Sequence, residues 1–116
     1  MSRLSTHVLD TAHGRPGAGM RFALYRLEGE AREKLAEGVT TADGRAPGKL
    51  LPEAQYRPGR YQLVYQVAAY FRGQGVTLPE PPFLDEVTLS FGLGDAPHYH
   101  VPLLVSPFGY TSYRGS

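Results

Sequence analysis

Apolar side chains in this chain recur at every second position, in short runs that Gly or Pro repeatedly interrupts. Tyr61, Leu63, Tyr65 and Val67 alternate with Gln62, Val64 and Gln66. Leu4, Thr6 and Val8 alternate with Ser5, His7 and Leu9, and Val101, Leu103 and Val105 with His98, His100 and Pro102. A period of two gives one buried face and one outer face, which is the mark of a half-buried strand. Met20–Leu27 and Glu86–Phe91 carry the same pattern. The 14 Gly and 10 Pro are scattered as punctuation rather than clustered. Strands at a spacing of roughly 8–12 residues with turn signals between them specify an antiparallel sandwich or barrel.

Arg32–Thr41 holds helix formers, but it is short and ends in the β-branched Val39-Thr40-Thr41, so a strand is expected. Ala42-Asp43-Gly44-Arg45 is a tight turn on its Asp-Gly pair, with Arg45 starting the next extended segment. Pro47 and Gly48 make that segment, Arg45–Leu51, an edge strand or a bulge. From Val67 the period changes: Val67, Tyr70 and Phe71 have helical spacing, and Gly73 and Gly75 stand where one short helix would end. Thr11–Gly19 is a loop, and its His13 is read as solvated. The expectation is an all-β antiparallel sandwich of about eight strands with one short helix, a single domain over residues 1–116.

Composition narrows the function. Twelve Lys and Arg against 11 Asp and Glu leave a formal charge of +1, which gives no reason to expect a nucleic-acid partner, since that would call for a basic patch or stripe. With no cysteine, disulfides, thiolate metal sites and cysteine nucleophiles are excluded, and a metal would need His and carboxylates. No signal peptide is visible, and no apolar run approaches the roughly 20 residues of a membrane span. A cytoplasmic protein without membrane contact is expected. No Gly-rich phosphate loop leads from a strand into a helix, so no nucleotide cofactor is indicated.

Polar chemistry concentrates in His98–Ser116, HYHVPLLVSPFGYTSYRGS. His98 and His100 share a strand face about 7 Å apart, from the strand rise. They can bind one metal, divide catalytic work, or simply sit at an edge. His7 alone can be a satisfied core residue or line a cavity, and Tyr-Arg-Gly-Ser alone can be a solvated tail.

Taken together, LSTHVLD at Leu4–Asp10, TADGR at Thr41–Arg45 and the segment from His98 onward resemble the 5-hydroxyisourate hydrolases of the transthyretin-related family. The resemblance runs from Leu4 to the last residue. The closing Tyr-Arg-Gly-Ser is the specific part, because the thyroid-hormone-carrying branch lacks it. Phe108 stands where Tyr is common, and Tyr110-Thr111-Ser112-Tyr113 inverts the usual Ser-Thr order. The resemblance implies a transthyretin-like sandwich that opens 5-hydroxyisourate by hydrolysis during urate breakdown, with no cofactor and no metal. It implies a catalytic set of His7, Arg45 and His100, closed by Tyr113 and Ser116, with His98 a nearby second imidazole. It also implies a homotetramer with its sites at the dimer–dimer interface. Two readings compete: a transthyretin-like carrier that holds a small aromatic ligand without turning it over, and a His-based metal-binding sandwich.

Overall fold

The computed structural model describes residues 3–115. Eight strands form: β1 (Leu4–Asp10), β2 (Arg15–Pro16), β3 (Arg21–Glu28), β4 (Ala31–Val39), β5 (Gly59–Gln66), β6 (Glu86–Leu93), β7 (Tyr99–Ser106) and β8 (Gly109–Ser112). One α-helix, α1 (Val67–Gly73), and one 3-10 turn (Glu53–Gln55) complete the elements. The strands make two four-stranded sheets, ordered β2-β1-β7-β8 and β4-β3-β5-β6. Pairing is antiparallel except between β1 and β7, which run parallel with Ser5 opposite His100 and His7 opposite Pro102. Strand β4 forms where the β-branched ending of its segment indicated it, paired along β3 with one irregularity at Leu24/Tyr25.

The core lies between the sheets, and the period-two pattern decides who enters it. Leu4 and Val8 of β1, Leu24 of β3, Leu63 of β5 and Leu103 and Val105 of β7 are all fully buried. Each such side chain contributes roughly 1.5–3 kcal/mol by leaving water. Tyr65 is buried too, and its phenol meets the Thr6 hydroxyl at 2.6 Å. Thr6 in turn donates to the Val101 carbonyl at 2.7 Å, so the phenol is the donor to Thr6 and ties one sheet to the other.

Helix α1 starts directly at the end of β5 and buries Val67, Ala68, Tyr70 and Phe71. Gly75, at φ +86°, follows the helix end. The extended segment expected over Arg45–Leu51 is not a strand. Arg45 makes one isolated antiparallel bridge to His7, and the chain then bends away. Pro47 has no N–H to offer a ladder, and Gly48 takes φ +66°, so pairing stops after one residue. The loop after β1 also differs from expectation by contributing β2, paired to Leu9 and Asp10. Among the described residues no helix is long and apolar enough to cross a membrane.

Candidate active site

The parallel pairing of β1 with β7 sets side by side two outer faces that are remote in sequence. His7 and His100 have ring centroids 6.5 Å apart with planes tilted by 42°. The turn Thr41–Arg45 is then folded across β1. Val8 N–H donates to the Gly44 carbonyl at 2.7 Å, while Gly44 N–H and Thr41 N–H close the turn on the Thr41 and Arg45 carbonyls. The Thr41 hydroxyl donates to the Asp43 carboxylate and accepts the Arg45 N–H at 3.3 Å. Gly44 is required twice over. Its φ is +81°, and a Cβ there would stand 2.4 Å from the Val8 carbonyl oxygen and 3.3 Å from His7 Cδ2.

This turn fixes the His7 tautomer. Its Nε2 lies 2.8 Å from the Asp43 carbonyl oxygen, and a carbonyl only accepts. Nε2 therefore carries the proton, and Nδ1 of the neutral ring keeps its lone pair. Arg45 meets the Asp43 carboxylate through Nε at 3.6 Å, so its two terminal nitrogens stay outside that ion pair. The Thr41 hydroxyl is the main cause holding the Asp43 carboxyl below its ordinary value, against slight desolvation and with help from Arg45 and His7.

His100 is held from two sides. Its Nδ1 lies 2.7 Å from the Ser5 hydroxyl, and its carbonyl accepts the Gly115 N–H at 2.7 Å. The backbone at 115 comes so near that a Cβ there would stand 2.7 Å from His100 Cδ2. Burial pushes the His100 imidazole below its ordinary value, and the positive neighbours Arg45, His7 and His98 push it further the same way. His98 precedes β7 on the exposed side, with Nε2 3.0 Å from the same Ser5 hydroxyl. The Tyr99 phenol accepts the Gly94 and Ala96 N–H groups and so shapes the loop that presents His98.

His7, Arg45, His98 and His100 thus come together on one face. Tyr113 stands at its margin, more than half exposed, in a hollow of about 470 Å³ lined with His98, Arg114 and Gly115. The Arg114 guanidinium sits 4.6 Å over the Tyr99 ring. Ser116 lies outside the described residues. Sequence reasoning missed Ser5, whose place follows from its opposition to His100 across the β1–β7 ladder, and no local pattern marks that. His13 is exposed, as expected of a solvated ring, but the sequence did not show its partner. Its Nδ1 is 2.6 Å from the carboxylate of buried Asp10, which takes the Tyr70 phenol at 2.7 Å as well. Among the described residues no group of three or more His, Asp or Glu is arranged to hold a metal.

The family model described as HIUase/Transthyretin family matches residues 4–115. A curated relative, the 5-hydroxyisourate hydrolase of Mesorhizobium japonicum, is 58% identical over 114 residues, 98% of this chain and 92% of its own length. The crystal structure of (S)-allantoin synthase superposes with a TM-score of 0.90 at 42% identity, covering 99% of this chain. The match spans only 44% of that longer protein. Sea bream transthyretin, solved in complex with thyroxine, superposes with a TM-score of 0.86 at 28% identity, covering 97% of this chain and 94% of its own.

Proposed function

This chain belongs to the HIUase/transthyretin family, and from that premise we infer that it hydrolyses 5-hydroxyisourate to 2-oxo-4-hydroxy-4-carboxy-5-ureidoimidazoline, a step of urate degradation. The observation that carries the reading is the meeting of His7, His100 and Arg45 on one face. Among the described residues, neither imidazole spends a ring nitrogen on a carboxylate. A carrier surface has no use for that arrangement, whereas opening a cyclic amide needs a base, an acid and a positive charge.

His7 is the base. Its Nδ1 takes one proton from water as the oxygen adds to the ring carbonyl carbon, and its Nε2–H stays on Asp43 to hold the ring in place. Arg45, charged at every working pH, stabilises the oxyanion with the terminal nitrogens outside the Asp43 pair. Collapse of the tetrahedral adduct breaks the carbon–nitrogen bond, and His100 hands the departing nitrogen its proton from Nε2. The new acid ionises to the product carboxylate. Tyr113 walls the flat substrate, and Ser116 and His98 complete its surroundings.

The working form is a homotetramer with sites at the dimer–dimer interface. Support comes from the open edges of both sheets, β6 and β8, and from the exposed Phe83, Phe108, Tyr110 and Tyr113. Sedimentation reads it directly, and a monomer at micromolar concentration would oppose it. A cytoplasmic location belongs to the same reading and is checked by cell fractionation.

The deciding experiment generates 5-hydroxyisourate in the cuvette from urate and a uricase and follows the loss of its ultraviolet absorbance. Decay faster than the spontaneous rate, abolished in His7→Ala, is the expected result. Decay at the spontaneous rate in the presence of folded protein overturns the assignment in favour of a carrier.

A further inference from the structure

One hydroxyl lies between two of the imidazoles. Ser5 Oγ is 2.7 Å from His100 Nδ1 and 3.0 Å from His98 Nε2, and Ser5 is held opposite His100 by the β1–β7 register. A serine hydroxyl has a single proton and two lone pairs, so it can donate to only one of the rings, and when it does the other ring must donate to it. The tautomers of His98 and His100 are therefore linked: if His100 takes the Ser5 proton on Nδ1, its own proton stands on Nε2.

We propose that Ser5 is a positioning residue that receives the Nε2–H of His98, donates to Nδ1 of His100, and so presents Nε2–H of His100 to the substrate as the acid. This rests on the hydrolase reading and completes it. A neutral imidazole that gives up its Nε2 proton becomes an anion unless a proton reaches Nδ1 in the same step. Ser5 supplies that proton and is refilled from His98. The step balances: His98 takes a proton from solvent at Nδ1 as it gives one up at Nε2 and so stays neutral, Ser5 passes one on, and His100 ends neutral with its proton on Nδ1, while the proton His7 took from water returns to solvent. The departing nitrogen gains one proton. The direction follows from exposure, because His98 is open to water that can reload it while His100 is half-buried. It also gives His98 a role without contact with the reacting atoms.

The test couples ring-nitrogen NMR of 15N-labelled protein with the absorbance assay. Wild-type His100 is expected to carry its proton on Nε2, and Ser5→Ala to lose that bias. Ser5→Ala should lower kcat about 10–100-fold, the usual penalty for removing a group that orients a reacting one, with KM changed less than about twofold. Ser5→Thr, which keeps the hydroxyl, should restore both readouts. His98→Asn should lower kcat similarly, and the Ser5→Ala/His98→Asn pair should be no worse than either alone. Wild-type kcat in Ser5→Ala, a wild-type His100 protonated on Nδ1, or additive losses in the double variant would overturn the assignment. If Ser5→Ala does not fold, the wild-type tautomer and His98→Asn still decide. A wild-type protein that leaves the substrate's decay unchanged refutes the hydrolase reading instead, and the NMR measurement still judges the Ser5 linkage.

Discussion

Strand β1 carries two histidine clusters built on opposite electrostatic rules. At the far end of the strand, inward-facing Asp10 takes the His13 ring, the His13 backbone N–H and the Tyr70 phenol. On the outer face, His7 and His100 lie beside Arg45 and His98, with a carbonyl and a hydroxyl as their partners. In the first cluster a carboxylate uses the imidazole to stay buried, and in exchange it fastens α1 to the sheet. In the second, burial and neighbouring positive charge favour the neutral form of His100, and a neutral ring is what can move a proton. The partner of a histidine, more than its burial, separates a structural ring from a chemical one.

That contrast can be broken by exchanging the readouts. His7→Ala, Arg45→Ala and His100→Ala should each lower turnover by about 10²–10⁴-fold while leaving the melting temperature near wild type. Asp10→Ala should do the reverse. It strands the Tyr70 phenol and the His13 ring and removes about 2–4 kcal/mol of stability, while kcat per folded molecule is kept. A matching loss of turnover in Asp10→Ala would merge the two clusters into one.

Gly44→Ala should show both effects at smaller size. Forcing a side chain into a positive φ against the Val8 carbonyl costs about 1–3 kcal/mol and shifts the carbonyl that orients His7. A variant with wild-type stability and rate would mean that the turn does not hold the base.

The clusters also differ in pH dependence. Burial pushes the Asp10 carboxyl up, but the hydrogen bonds from His13 and Tyr70 outweigh it, and the group sits below its ordinary value. Its contribution is therefore complete above the unfolded value of about 3.9 and is lost as pH falls below that, through the lower folded value. Melting curves at stepped pH should show Asp10→Asn with a flatter acid limb in that window, and unchanged limbs would refute the linkage. His100 should titrate by NMR below the ordinary value of about 6.5. Because part of that depression comes from Arg45, Arg45→Gln should move it partway back, the smallest of these effects.

Much of this was legible because period two is a local property. The alternation of Leu4, Thr6 and Val8 against Ser5 and His7 is the alternation of buried and half-buried residues observed along β1. The change of period at Val67 marks the first residue of α1. The same alternation, continued by one step, would have found Asp10: it falls on the inward phase, and a carboxylate there must have donors. Ser5 could not be found that way. It gains its meaning from a parallel neighbour 95 positions on, and no window of sequence contains both. The segment after Arg45 was read as extended for the converse reason. Its residues permit a strand, and only the geometry at Pro47 and Gly48 shows that the pairing ends after one bridge.

The parallel seam between β1 and β7 has a consequence for the order of events during synthesis. The second sheet is assembled from neighbours in the chain, β3 with β4 and with β5, then β5 with β6, and can pair while the chain is still being made. Strand β1 emerges first and waits with one edge unpaired until β7 has been translated. Closing so long a loop is slow, so the seam is expected to seal late. The face proposed for catalysis is made of that seam, so on that reading a chain stalled before β7 has a sheet and no site.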